Sequence, residues 1–214
     1  MRLICAATIE ELQPLLARAA FVEEHESVFR HRGKPVLAAA FGIGLVDFAS
    51  GFQTSLQNFQ IKTAVLTGTC GVYPEAERNC PIGVLVSPDK ISLADFSLVN
   101  DSGYLPSPVI QSSALAGGVF PDSNIITGGH CLTLTTITAD DQVAKQIANH
   151  YQAHYEQMEA YAFARLCRLN QVDGSALFAV SNRVGCDSHA QWLTNAQSGV
   201  AAVAEVICER FSLG

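Results

Sequence analysis

Short unbroken apolar runs and longer stretches with helical spacing take turns along the chain. Residues 2–7, 36–40, 64–66, 82–86 and 175–180 are runs of the buried-strand kind. Leu12, Leu15, Leu16 and Ala19 mark the inner side of a helix over 9–20, and further helices are predicted over 45–59, 140–150 and 190–211. Residues 110–116 read as a short helix and 88–108 as mostly loop. Residues 124–127 and the threonine-rich 132–138 read as a pair of strands. Met158, Ala162, Leu166 and Leu169 place one more helix ahead of the breaker Asp173-Gly174; the strand 175–180 follows, with Ser181-Asn182 at its end. Thr8 and Glu11 have the spacing of a capping box, and Pro14 sits early enough in its helix to be tolerated or to kink it slightly. Such alternation makes an α/β fold: a three-layer sandwich whose mixed, largely parallel sheet is flanked by helices.

A length of 214 residues fits one domain over 1–214 with a substantial core. The chain is 49% hydrophobic and 15% charged with a net charge of -7, so it has no electrostatic footprint for nucleic acid or an anionic membrane. The apolar start is too short for a signal-peptide core, and the uncharged stretch 35–46 falls short of the ~20 residues a membrane helix needs. Seven scattered cysteines without a Cys-x-x-Cys pair read as reduced thiols of a cytoplasmic protein. His150 and His154 have the spacing of a metal pair but lack a third ligand, so no metal site is expected. Gly42-x-Gly44 lacks the rest of a dinucleotide fingerprint, and Cys70 has no histidine placed to activate it.

Polar or glycine-bearing turns follow several of the predicted strands: Glu10-Glu11, Gly42-Ile43-Gly44, Gly68-Thr69-Cys70-Gly71 and Ser181-Asn182. In a mostly parallel sheet these ends gather along one edge, where ligands of open α/β folds bind. Glu159 can join them from a helix start. Two carboxylates, an amide and close backbone approach suit a neutral polyol joined to a heterocycle. They suit a phosphate poorly, because carboxylates repel an anion.

Gln157-Met158-Glu159-Ala160 followed by Val180-Ser181-Asn182 resembles the nucleoside phosphorylase/nucleosidase superfamily, and Thr67-Gly68-Thr69-Cys70-Gly71 is similar to its Thr-Gly-Ser-Ala-Gly turn. Ala7-Thr8-x-x-Glu11-Leu12-x-Pro14-Leu15-Leu16 and Ser181-Asn182-Arg183-Val184-Gly185 with Trp192 are closest to its futalosine hydrolase branch. The resemblance implies hydrolysis of the N-ribosidic bond of a 6-oxopurine nucleoside, with release of hypoxanthine in a route to menaquinone. It implies a homo-oligomer and a mechanism with no metal or organic cofactor. The rival readings are a purine nucleoside phosphorylase, a methylthioadenosine/adenosylhomocysteine nucleosidase and a nucleoside-binding protein without turnover.

Carried over residue by residue, the resemblance makes Glu11 the base that activates water and Glu159 the acceptor of the ribose hydroxyls. Asn182 becomes the contact to the purine, beside Ser181. Two roles compete for Glu11, since the capping box would employ the same carboxylate. Asn182 in place of an aspartate argues for a 6-oxopurine: an amide can donate to the 6-oxygen, and a mismatched buried polar pair costs ~1–3 kcal/mol. Gln157, Met158, Ile43, Gly44 and Thr69 are water- and sugar-side contacts, and Thr136 and Ile137 match the segment that pairs with the base. Thr136 replaces a stacking aromatic, and Phe178 stands where relatives often carry arginine. Trp192 is expected in the core.

Overall fold

The computed structural model describes residues 1–105, 112–115, 118, 120 and 124–214. Among them run twelve strands and six helices in the order β1 (Arg2–Ala6), α1 (Ile9–Arg18), β2 (Phe21–His25), β3 (Val28–His31), β4 (Val36–Ala40), α2 (Leu45–Asn58), β5 (Thr63–Val72), β6 (Leu85–Ser87), β7 (Lys90–Leu93), α3 (Phe96–Val99), β8 (Ser112–Ala114), β9 (Ile126–Thr127), β10 (His130–Thr133), α4 (Asp141–Tyr151), β11 (Tyr155–Gln157), α5 (Ala160–Leu169), β12 (Asp173–Arg183) and α6 (Ser188–Phe211). All twelve strands join one mixed sheet, with the path β2-β3-β4-β1-β5-β11-β10-β7-β8 and a branch from β5 through β12 to β6 and β9.

The two-residue period of the strands sorts their side chains between the layers. Leu3 and Cys5 of β1, Leu37 and Ala39 of β4, and Ala176 and Phe178 of β12 face one core with Phe48 and Phe52 of α2 and Phe163 and Cys167 of α5. Ile4 and Ala6, Val36 and Ala38, and Leu177 and Ala179 face the other, with Leu12 and Leu15 of α1 and Val203, Ala204 and Ile207 of α6. A third cluster joins Tyr73, Leu132 and Val184 to Ala144, Ile147 and Ala148 of α4. The sandwich predicted from the sequence is therefore the architecture observed.

β5 is the hub. It pairs in parallel with β12 along its full length, with β1 over Thr63–Leu66, and antiparallel with β11 at Gly71 and Val72. Residues 67–71, expected as a turn, are the continuation of this strand. Its glycines leave room rather than reverse the chain. At Gly68 (φ +146°) a Cβ would stand 2.5 Å from Glu11 Oε1; at Gly71 it would stand 2.8 Å from Val184 Cγ2 and 3.0 Å from Asn182 Nδ2.

Other expectations also change. The helix predicted over 110–116 is, in its described part, the strand β8 paired with β7; residues 110, 111 and 116 lie outside the described residues. The supposed loop 88–108 holds β7 and α3, with 106–108 outside the described residues. The paired strands 124–127 and 132–138 do not meet. β9 joins β6, while β10 ends at Thr133 and lies between β7 and β11. Met158 precedes α5 and Leu169 is exposed, whereas Ala162 is buried as expected and Leu166 packs against the core; the other buried residues of that helix are Ala160, Phe163, Ala164 and Cys167. A hairpin, β2–β3, extends the sheet beyond β4 and was not foreseen. No described helix is long and apolar enough to cross a membrane.

α6 lies close against β12 because Gly199 has no side chain: a Cβ there would be 2.7 Å from that of Ala179. Gly199→Val should overpack this contact, costing about 1–3 kcal/mol and lowering Tm by several degrees, as calorimetry would show. An unchanged Tm would mean the helix is free to shift.

Candidate functional site

Thr8 caps α1 and completes the capping box with Glu11. The carboxylate does more than cap. Its Oε2 accepts from the amides of Ala7 (3.1 Å) and Thr8 (3.2 Å), while Oε1 accepts from the amide of Thr69 on β5 (3.2 Å). One side chain therefore serves both the cap of α1 and the contact to β5, so capping does not keep this carboxylate from reaching the sheet. Burial, together with the negative charge of Glu159, pushes the Glu11 carboxyl up to about 7 against the opposing pull of three backbone amides.

Glu159 is 3% exposed and stands just ahead of α5. Its Oε1 accepts from the Gly44 amide at 2.6 Å, and its Oε2 accepts from the side-chain amide of Gln157. Gln157 in turn caps α5, its Oε1 accepting from the amides of Glu159 and Ala160 at 2.6 Å each. Burial raises the Glu159 carboxyl, and these donors oppose the rise. The Gly44 amide is aimed by the turn 42–44, where both glycines have positive φ (98° and 84°) and the Gly42 amide is anchored on the Ala7 carbonyl at 2.8 Å. The loop after β1, the loop after β4 and the start of α5 thus close around two carboxylates.

Ser181 and Asn182 lie inside β12, not beyond its end. Val180 pairs with Cys70 and Asn182 with Gly71, so Ser181 is the extra residue of a bulge. Neighbours on a regular strand point to opposite faces. Here the Ser181 hydroxyl instead reaches Asn182 Oδ1 (2.8 Å), with the Cys70 carbonyl also in range (3.3 Å). The donation to Oδ1 fixes which way the amide faces. Asn182 Nδ2 places one hydrogen on the Arg183 carbonyl (3.2 Å) and keeps a second for another acceptor.

Thr69, two residues before Gly71 on β5, accepts from Trp192 Nε1 at 3.2 Å. Trp192 is 42% exposed, so it is not the core residue expected. It sits in the first turns of α6 with its ring near-parallel to that of His189. Ile43 (60% exposed) and Ile137 (59% exposed) are surface side chains, Thr136 is exposed, and Met158 is half-buried between Gln157 and Glu159. Phe178 is wholly buried in the core beneath the sheet. Arg183 turns away to Asp141 (3.7 Å).

Bonds and register therefore bring Glu11, Thr69, Gly44, Glu159 and Gln157 together, with Ser181 and Asn182 on the adjoining row of β12. Sequence reasoning passed over Glu156. This buried carboxylate accepts from Tyr73 Oη, Thr138 N and Thr138 Oγ1 and ties the 134–140 loop to β11. A glutamate directly before Gln157-Met158-Glu159, in a strand too short to show a period, left no signal to find. His154 lies beyond the end of α4, apart from the helix face shared by His150, and the described residues hold no metal-binding cluster.

A model of the phosphorylase superfamily matches residues 3–211. The chain belongs to that superfamily. Among curated relatives it is 27% identical to the futalosine hydrolase of Thermus thermophilus over a 216-residue alignment covering 92% of each chain. It is 30% identical to that of Streptomyces coelicolor over 157 residues, 63% of each. Among solved structures it is similar in fold to the 5′-methylthioadenosine/S-adenosylhomocysteine nucleosidase of Helicobacter pylori (TM-score 0.83, 13% identity, 99% and 97% covered). The native futalosine hydrolase of that organism gives a TM-score of 0.81 at 13% identity, with 96% and 94% covered.

The Glu11 carboxyl should titrate near pH 7 by carbon-detected NMR, and Glu159→Gln should lower that midpoint by removing a neighbouring negative charge. The folded-state value lies above the ordinary 4.5, so its stabilising contribution is full below about 4.5 and is lost as pH rises through about 7. Denaturation midpoints should fall across that window, and less so in Glu11→Gln.

Proposed function

We propose that the chain hydrolyses the N-ribosidic bond of a 6-oxopurine nucleoside, with futalosine as substrate, hypoxanthine as released base and menaquinone formation as the setting. The observation that carries this reading is the pairing of two buried carboxylates with different surroundings, beside a carboxamide held in one orientation. Glu11 has a raised pKa near 7, suited to taking a proton from water at neutral pH. Glu159 is anchored by Gly44 and Gln157 and presents an acceptor pair for vicinal hydroxyls.

Asn182 bears on the base. With Oδ1 held by Ser181, its second Nδ2 hydrogen can donate to a 6-oxygen, where a 6-amino group would oppose donor to donor. As the glycosidic bond lengthens, negative charge gathers on the purine, and an amide in contact with it stabilises the leaving group. The sugar becomes cationic, and two nearby carboxylates favour that charge while disfavouring phosphate as the nucleophile. Gly44, Thr69, Met158 and Ile43 border the sugar and the attacking water; Thr136 and Ile137 border the base. The likeness to two futalosine hydrolases supports the same choice. We also read the chain as one domain, a cytoplasmic protein and a homo-oligomer.

Incubation with futalosine should release hypoxanthine equally well with and without phosphate, while methylthioadenosine should yield little adenine. Phosphate dependence, or adenine as the main product, would overturn the reading. Glu11→Gln should cut kcat by ~10²–10⁴ with substrate binding retained. In the wild type the rate should climb with pH through about 7 and then level off, following the ionised form of Glu11. Asn182→Asp should shift preference toward 6-aminopurines by about 10-fold or more, seen as a ratio of kcat/KM values.

A further inference from the structure

The row of residues across the sheet at Gly71 has Asn182 of β12 on one side and Glu156 of β11 on the other. Glu156 is 8% exposed, and its two oxygens take three hydrogen bonds: Tyr73 Oη at 2.7 Å, Thr138 N at 2.9 Å and Thr138 Oγ1 at 2.8 Å. Tyr73, fully buried, follows the end of β5, and its amide donates to the His154 carbonyl at 2.9 Å. Thr138 adjoins Ile137 and is buried, whereas Leu134 is the last buried residue before the exposed stretch 135–137. The loop between β10 and α4 is therefore pinned in its middle by one buried carboxylate. That carboxylate belongs to the strand leading directly into Gln157 and Glu159.

We propose that Glu156 is a positioning residue for base recognition. Through Thr138 and Tyr73 it holds the Thr136–Ile137 backbone at a fixed distance from Asn182, so the two walls that grip the purine are set by one row of the sheet. This rests on the function proposed above and adds to it a residue that does not touch substrate. The chemistry of the pin is specific. The Thr138 amide is a fixed donor and needs an acceptor, whereas the Tyr73 and Thr138 hydroxyls can rotate to accept instead. A glutamine at 156 can therefore satisfy all three partners, with its carbonyl on the Thr138 amide and its NH2 toward the hydroxyls. An alanine leaves a buried amide without a partner and the loop without its anchor.

The test measures hypoxanthine binding by calorimetry, amide exchange of residues 135–139, and the pH profile of turnover in the wild type, Glu156→Ala, Glu156→Gln and Thr138→Val. Glu156→Ala should weaken hypoxanthine binding by about tenfold or more and speed exchange of the loop amides by a similar factor. The midpoint of the pH profile should stay near 7, because Glu11 sets it. Glu156→Gln should recover hypoxanthine binding to within about threefold of the wild type, and Thr138→Val should fall between the two. If Glu156→Ala does not fold, Glu156→Gln and Thr138→Val carry the comparison. Unchanged hypoxanthine binding in Glu156→Ala, or equal losses in Glu156→Ala and Glu156→Gln, would overturn the proposal. So would wild-type binding in Thr138→Val. A wild-type protein that binds no purine would instead overturn the function it rests on, a result separate from any difference among the variants.

Discussion

The close approach of the Glu11 carboxylate to the middle of β5 is the constraint around which the rest is arranged. A carboxyl oxygen can reach the Thr69 amide only because Gly68 presents no side chain, since a methyl group there would stand 2.5 Å from that oxygen and force it away. That contact draws the start of α1 over the sheet, where the Ala7 carbonyl also anchors the turn that supplies the Gly44 amide to Glu159. The two acids are thereby close enough for the charge on one to raise the other. Burying two like-charged groups is costly. Here the cost is offset by hydrogen-bond donors: three backbone amides on Glu11, and the Gly44 amide and the Gln157 side chain on Glu159.

Much of this was legible in the sequence. The apolar runs of β1, β4 and β12 and the helical spacing of α1, α2, α4 and α6 gave the layers, since burial on one face leaves a periodic trace. Glu11, Glu159 and Asn182 stand out because their motifs resemble those of a known superfamily. What escaped notice shares a physical cause. β7, β8 and β11 are three or four residues long, too brief for a period to emerge, and their pairing depends on partners far along the chain. Gly68 and Gly71 were read as turn-formers because glycine's freedom and its small size look alike in a sequence, and only contact with Glu11 and Asn182 separates the two uses. Trp192 looked like core because a large apolar ring favours burial, yet its indole N–H has a hydroxyl partner in Thr69 of β5 and the ring stays partly exposed. The Glu156 pin was invisible for a similar reason, as its partners are 83 and 18 residues away.

The electrostatics of the site follow from its scaffold. Glu11 meets only backbone amides, which hold an ion in place without neutralising it, and so its proton affinity stays responsive to the second acid. Glu159 is tethered by Gln157, itself fixed as the cap of α5, so the orientation of one side chain is inherited from a helix end. Asn182 gains its orientation from Ser181. Each polar group thus has a second group that decides where it points, and each of those is rooted in a strand or a helix terminus.

The bulge in β12 also bears on how this site can change over time. Because Ser181 is the supernumerary residue between two in-register neighbours, removing a single codon would restore a regular ladder without disturbing the first eight pairs. The strand would survive as a strand, but serine and carboxamide could no longer lie side by side against the same neighbours. A one-residue deletion would thus undo the Ser181–Asn182 arrangement while sparing the architecture, giving descendants of this chain a short route to a folded protein with a different surface at this edge.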